Sequence, residues 1–447
     1  MSSLPTNTSL SERYYSLISP TSGRKTLWGL GASAEDPEQQ GLTTKIVDLI
    51  LEQAVIEGAS DVHLEPEQGN TKLRVRYRID GVLYEKLFMD HNPNVSIIPR
   101  IKIMANLETD ARLMRKPQDG RFSIKAGSAT LDFRVSTFPT VQGEKIAIRI
   151  LYKDAGLFKL DKIGFDPFDL SRVARLLQYR YGLFLVSGPT GCGKTTTLYA
   201  ILSQLNSPGN NIITLEDPVE YQIEGMNQCD IRKKMDFNFA DGLRASLRQD
   251  PDIILVGEIR DNETAEIAIR ASLTGHMVFS TLHTNSAIGT IIRLVNMGLE
   301  PYLVSYALIS VISQRLVRKI CDHCKEQYTM TPEELNRIKM HYKINASQQK
   351  AKEESYYSLD QSKSTVFYRG KGCSHCVGTG YKGRIGLFEI VVFNDELRDA
   401  IIKGASSSDL RQIAIRNGTK LLIVDGLEKA KSGVTTLDEV FTVAFER

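Results

Sequence analysis

The stretch that most constrains this chain is Gly188-Pro189-Thr190-Gly191-Cys192-Gly193-Lys194-Thr195. It fits G-x-x-x-x-G-K-[ST] without a mismatch. The apolar run Leu183-Phe184-Leu185-Val186 before it reads as a buried parallel strand, and Lys194 to Leu205 reads as a helix. Strand, glycine-rich loop and helix in that order make a phosphate cradle. The glycines let the backbone curl until successive N–H groups point inward, and the helix N-terminus adds a partial positive charge. The phosphate-binding set is therefore Gly188, Pro189, Thr190, Gly191, Cys192, Gly193, Lys194, Thr195 and Thr196. In such a loop Lys194 reaches the β- and γ-phosphates of ATP, and the Thr195 hydroxyl ligates Mg²⁺.

A length of 447 residues suggests several domains, and 42% apolar residues are ample for their cores. A net charge of +3 argues against a partner held by bulk charge alone. The best candidate for a membrane span, Tyr302 to Ser313, is short and carries Ser305, Ser310 and Ser313, so none is expected. Met1 to Gly41 lacks the apolar core of a signal peptide, which predicts a cytoplasmic chain. Its six cysteines are then not expected to pair as disulfides.

In order, residues 1–40 are rich in Ser, Thr, Pro and Gly and hold the only tryptophan, Trp28. They read as a flexible tail or as an adaptor for a partner. Residues 41–155 read as a small α+β domain. Its helix from Thr43 puts Val47, Ile50, Leu51, Ala54 and Val55 on one face. Its strand Leu73–Ile79 alternates apolar residues with Arg74, Arg76 and Arg78. No aromatics interleave on that arginine face, so a solvated or subunit-facing surface is preferred over nucleic acid. A helix over Ser96–Leu107 and strands near Phe122, Leu131–Val135 and Lys145–Leu151 complete the domain. The pattern loosens at Asp154–Asp166, as a hinge would.

Residues 156–320 alternate strand and helix around the P-loop. Strands are predicted at Asn211–Leu215, Ile253–Val256 and Met277–Ser280, and helices at Asn285–Met297 and Tyr302–Lys319, among others. This predicts a mostly parallel, doubly wound sheet with its phosphate site at the carboxyl ends of the strands. Residues 321–390 contain Cys321-Asp322-His323-Cys324 and Cys373-Ser374-His375-Cys376, and residues 391–447 read as short amphipathic helices.

Further motifs carry chemistry. Ile253-Ile254-Leu255-Val256-Gly257-Glu258 is an apolar strand ending in an acid, the Walker B pattern, and Glu258 would hold Mg²⁺ or orient the attacking water. Glu216-Asp217-Pro218-Val219-Glu220 follows another strand. His276 and His283 bracket the strand Met277–Ser280, a placement taken to aim both at the same edge for γ-phosphate or subunit sensing. The two C-x-x-C pairs match a tetrahedral Zn²⁺ site; two redox or free-thiol pairs are the alternative. Lengthening the loop between them costs only about 0.6 kcal/mol per doubling, against on the order of 10 kcal/mol from a structural zinc.

Together these motifs closely resemble the secretion ATPase family of type II secretion and type IV pilus assembly, from about Gly41 to the C-terminus. The resemblance also rests on Ala59-Ser60-Asp61-Val62-His63-Leu64-Glu65-Pro66, on Glu258-Ile259-Arg260-Asp261, on Gln314-Arg315-Leu316 and on Gly380-Tyr381-Lys382-Gly383-Arg384-Ile385-Gly386. It implies a RecA-like ATPase domain behind a smaller N-terminal α+β domain, with Glu216–Tyr221 as an Asp box that includes Glu220. It implies a homo-hexamer at the inner face of the inner membrane, working on a platform protein so that pilin-like subunits are stacked. By the same resemblance Arg134 and Arg149 of the small domain, and Arg244 and Arg248, act on the γ-phosphate. Retraction-type members lack the four-cysteine site, so its presence points to assembly. A nucleic-acid-translocating RecA-like motor is the alternative, and direct nucleic-acid binding is not expected. The family's further N-terminal docking domain is expected to be missing before Gly41. The stretch Leu107–Arg121 and the span 325–372 exceed the family pattern.

Overall fold

The computed structural model of the chain describes residues 9–18, 41–67, 71–90, 97–110, 116–126, 129–152, 158–231, 237–330 and 366–444. Trp28 with most of the expected tail, part of the expected hinge, and 331–365 of the long span lie outside them. The chain forms two compact units, Met1–Asp154 and Ala155–Arg447.

The first unit runs α1 (Leu10–Ile18), α2 (Leu42–Ile56), β1 (Ala59–Glu67), β2 (Lys72–Ile79), β3 (Val82–Asp90), α3 (Ile97–Met104), β4 (Gln118–Ala126), β5 (Ala129–Thr140) and β6 (Gly143–Tyr152). The strands form one antiparallel sheet in the order β3-β2-β1-β6-β5-β4. Val62, Leu64, Val75, Tyr77, Phe133, Ile146 and Ile148 alternate onto the face that meets α2 and α3. The expectation of a flexible tail over 1–40 needs correction at Leu10–Ile18, which is a helix. Leu10 and Tyr14 are buried in this core, and Arg13 donates to Gln53 at 2.6 Å and to Glu52 at 2.9 Å.

The second unit begins with α4 (Pro167–Leu176), β7 (Gly182–Ser187), α5 (Lys194–Leu205), β8 (Ile212–Glu216), β9 (Asn227–Asp230) and α6 (Phe239–Ser246). It continues with β10 (Ile253–Val256), α7 (Asn262–Leu273), β11 (Met277–Leu282), α8 (Ala287–Asn296), α9 (Pro301–Ala307) and β12 (Leu308–Ile320). A small ribbon of β13 (Lys325–Thr329) and β14 (Val366–Gly370) follows, then β15 (Tyr381–Val392). Four helices close the chain: α10 (Asp395–Ile402), α11 (Ser407–Arg416), α12 (Leu422–Lys431) and α13 (Leu437–Ala444). The main sheet has the order β15-β12-β7-β11-β10-β8-β9, parallel throughout except for β15. Strand residues alternate between two cores. Leu183, Leu185, Ile254 and Val256 face the helices from α6 to α11, whereas Phe184, Val186, Ile253 and Leu255 face α4 and α5.

The helix expected over Tyr302–Lys319 is mostly a strand. Only Pro301–Ala307 is helical, and Leu308–Ile320 is β12, between β7 and β15. Ile309, Val311, Ile312, Val317 and Ile320 are β-branched and suit the pleat. Its first eight residues are buried, so period-2 alternation does not show in the sequence. β15 returns antiparallel beside it, so the cysteine segments are an excursion between two strands of the main sheet and not a separate linear module. The ribbon packs on α12 and α13 through Phe367, Leu427, Ala430, Leu437 and Val440. Glu439 of α13 accepts from the Arg318 guanidinium at 2.6 Å, which fastens this region to β12.

In the first unit Lys102 is fully buried and its Nζ donates to Glu144 at 2.9 and 3.0 Å. Removing one partner strands the other charge. Lys102→Ala should therefore lower stability by about 3–5 kcal/mol, while the double variant Lys102→Met with Glu144→Leu should lose far less. Denaturant unfolding of the two variants beside the parent checks this.

Candidate functional site

The P-loop joins the carboxyl end of β7 to the first turn of α5. Gly188 and Gly193 have φ of +149° and +87°, and each lies against β12. A Cβ at Gly188 would stand 2.5 Å from the Gln314 carbonyl oxygen, and one at Gly193 would stand 2.9 Å from Gln314 Nε2. Only glycine fits these two approaches. Thr190, Gly191 and Thr196 are exposed along the loop, Pro189 and Thr195 are half-buried, and Cys192 is buried. The Lys194 side chain folds back, with its Nζ donating to the carbonyls of Gly188 at 2.9 Å and Pro189 at 3.0 Å. Burial draws its pKa down from the ordinary lysine value, and the charge of Glu258 pulls it up.

Glu258 leaves the carboxyl end of β10, whose tip is tied to its neighbours. Gly257 donates to Leu215 at 2.8 Å, and Thr281 Oγ1 donates to the Gly257 carbonyl at 2.8 Å. The Glu258 carboxylate pairs with Arg260 and lies 3.7 Å from His283 Nε2. Burial, and then the charge of Lys194, hold the His283 pKa below its usual value. One edge thus gathers Lys194, Thr195, Glu258 and His283.

His276 is not among them, contrary to the expectation that both histidines face one edge. It sits at the opposite end of β11, roughly 20 Å of strand away at about 3.3 Å per residue. There its Nδ1 lies 3.1 Å from the Ala271 carbonyl, and its own carbonyl accepts from Gly182 at the start of β7. Flanking a strand puts two residues at its two ends, not at one. In the acidic motif Glu216 is buried and takes hydrogen bonds from Tyr199, from Thr214 Oγ1 at 2.7 Å and from Gln228 at 3.1 Å, and burial pushes its pKa up. Glu220 is exposed on the loop beyond β8. Arg244 and Arg248 are exposed at the end of α6 and just after it. Arg244 pairs with Asp241 and Glu263, and Arg248 donates to the Arg244 carbonyl at 3.0 Å.

Arg134 and Arg149 belong to the first unit, side by side on β5 and β6. The register continues from Arg149 to Asp61 and from Asp61 to Arg78, a charged row across four strands. Arg149 Nε is 3.1 Å from Asp61. Glu65 takes Arg74, Arg76 and Lys145. Burial alone would raise the Glu65 pKa, but Arg76 and Lys145 hold it down to about 2. The Ala59–Pro66 motif therefore neutralises the arginine face with carboxylates, which the alternation of Arg74, Arg76 and Arg78 did not reveal.

The cysteines converge. Cys321 and Cys373 sulfurs are 3.8 Å apart, as are those of Cys324 and Cys376, and Cys373 and Cys376 are 3.7 Å apart. A tetrahedron with thiolates about 2.3 Å from a central Zn²⁺ has edges of about 3.8 Å. The backbone N–H groups of Cys373 and Gly380 both point at Cys376 Sγ at 3.2 Å. Burial opposes ionisation of that thiol, but these donors bring its pKa down to about 6. The residues fit a closed four-thiolate metal site. Gln314 and Arg315 had no role assigned from sequence alone, yet they form the floor of the P-loop. Gln314 Nε2 donates to the Cys192 carbonyl, and Arg315 reaches Asn285, two residues beyond His283.

A parallel sheet whose carboxyl edge presents a P-loop lysine, a strand-end glutamate and a histidine defines a RecA-like P-loop ATPase, here with a smaller α+β unit before it in the sequence. The family model described as "Type II/IV secretion system protein" matches residues 36–442, and the chain belongs to that family. It is 42% identical over 443 residues to the type IV pilus assembly ATPase PilB of Thermus thermophilus, covering 98% of this chain and 48% of that protein. It is 43% identical over 411 residues to the type II secretion system protein E of Pseudomonas aeruginosa, covering 92% of this chain and 77% of that one. The chain thus spans about half of the first relative and about three quarters of the second. Among solved structures, the pilus retraction motor PilT with bound ADP superposes with a TM-score of 0.60 at 26% identity, covering 90% of this chain and 97% of that one. The ATPase DotB of Legionella pneumophila superposes with a TM-score of 0.65 at 20% identity, covering 92% and 97%, and supports the fold alone. No helix among the described residues is long and apolar enough to cross a membrane.

Proposed function

We propose that this chain is a cytoplasmic, ring-forming ATPase, a homo-hexamer at the inner face of the inner membrane. ATP hydrolysis would act through platform and recruitment proteins to build a pilus or a secretion pseudopilus. The observation that carries the reading is the meeting of Lys194, Glu258 and His283 at one sheet edge. Lys194 would exchange the Gly188 and Pro189 carbonyls for β- and γ-phosphate oxygens. The Thr195 hydroxyl would hold Mg²⁺, whose charge stabilises the transferred phosphoryl group. Glu258 would orient the attacking water, with His283 beside it and Glu220 on the same rim. Arg134, Arg149, Arg244 and Arg248 would bring guanidinium charge to the γ-phosphate when units or subunits close. Cys321, Cys324, Cys373 and Cys376 would hold one structural Zn²⁺. A role in moving nucleic acid is disfavoured, because Arg74 and Arg76 are spent on Glu65, and Arg78 pairs with Asp61.

Phosphate release by the purified chain tests the enzyme. Lys194→Ala should weaken nucleotide binding and turnover together. Glu258→Gln should keep binding and lose hydrolysis by about a hundredfold or more, since it keeps shape and removes charge. Undiminished release by Glu258→Gln would contradict the assignment. Turnover per chain should rise with protein concentration, and Arg134→Ala and Arg149→Ala should slow hydrolysis far more than they weaken ATP binding. Full activity in a strictly monomeric preparation would refute the ring. For the cysteines, elemental analysis of chain purified without chelator should find one zinc per chain. All four thiols titrating freely in folded, zinc-free protein would count against the site.

A further inference from the structure

β12 runs parallel to β7, and the last pair in their register is Ser313 with Ser187. One step later β7 becomes the P-loop while β12 goes on, so Gln314 lies directly behind the loop. Its side chain is almost wholly buried, at 2% exposure, and both ends of its carboxamide are engaged. Nε2 donates to the Cys192 carbonyl at 2.7 Å, and Oε1 accepts from Thr197 Oγ1 at 2.7 Å. The Cys192 carbonyl can only accept, so the amide nitrogen must face it. Arg315 fixes the backbone here: its guanidinium donates to the Gln314 carbonyl at 3.0 Å and to the Asn285 carbonyl at 3.1 Å.

The consequence follows from peptide geometry. The Cys192 carbonyl and the Gly193 N–H belong to one planar peptide unit, and in a trans unit the two groups point in opposite directions. Pulling the carbonyl back onto Gln314 therefore turns the Gly193 N–H away from β12, toward the side where phosphate would lie. Without this donor the peptide could rotate, since Gly193 already occupies φ of +87° and carries no Cβ to resist.

We propose that Gln314 is a positioning residue for nucleotide phosphate. It aims the Gly193 N–H from behind, and Arg315 keeps that floor in register with the His283 loop. The inference rests on the nucleotide-binding reading above and adds a residue on β12 that touches no nucleotide itself.

The test is calorimetric titration of the full chain with Mg²⁺–ADP, together with competition by pyrophosphate, for the parent, Gln314→Met and Gln314→Glu. Met keeps the shape and removes the donor. Glu keeps the acceptor for Thr197 and places an oxygen against the Cys192 carbonyl. Both variants should bind Mg²⁺–ADP about tenfold or more weakly, and pyrophosphate more weakly in the same proportion, because the lost contact is to phosphate. The melting temperature of the nucleotide-free chain should not change for at least one of the two. Parent-like affinity in either folded variant would overturn the proposal. So would weaker ADP binding with unchanged pyrophosphate binding, or weakening seen only in variants whose nucleotide-free chain melts lower. A parent chain that binds neither compound would instead refute the nucleotide reading itself.

Discussion

The structure turns on one buried cation. Lys194 sits within its own loop, with two backbone carbonyls as partners and a glutamate near enough to be felt. Carbonyl dipoles compensate a buried ammonium only in part, and burial draws its pKa down. An anion entering the loop would improve that balance. The surrounding elements keep the cation in this position: β7 delivers the loop, α5 offers its N-terminus, and β12 closes the loop from behind through Gln314.

Parallel strands make the arrangement possible. Because β7, β10 and β11 point the same way, whatever follows each of them arrives at one edge. The P-loop, Glu258 and His283 are the three arrivals. β12 shares that direction and overshoots the edge by seven residues past Ser313, ending at Ile320 beside Cys321. The four-cysteine cluster therefore grows from the strand that floors the P-loop. α13 grips the same overshoot through Glu439 and Arg318, and Thr435 donates to the Arg318 carbonyl at 2.8 Å. One strand links the P-loop, the cysteine cluster and the C-terminal helices.

Much of this was legible in the sequence, for identifiable reasons. The P-loop and Ile253–Glu258 announce themselves because buried parallel strands are short apolar runs and the residues that follow are chemically distinctive. The cysteines were legible from their spacing. β12 was misread because a strand covered on both faces shows no alternation, and its Ser and Gln residues imitate a helix face. His276 was misplaced because adjacency to a strand says nothing about which end. The roles of Asp61 and Gln314 could not be read at all. Asp61 meets Arg149 and Gln314 meets Cys192, partners that lie far off in the chain and that only the sheet registers bring together. Residues 10–18 looked like tail because so short a helix depends on docking onto α2 for its stability.

The central claim is that Lys194 is held ready for phosphate, and a structure of the chain with Mg²⁺, ADP and a γ-phosphate mimic tests it most directly. Lys194 Nζ should leave the Gly188 and Pro189 carbonyls and bind phosphate oxygens, with Gln314 still on the Cys192 carbonyl and Glu258 facing the mimic. Nucleotide bound elsewhere, with Lys194 still folded onto its own loop, would contradict the account.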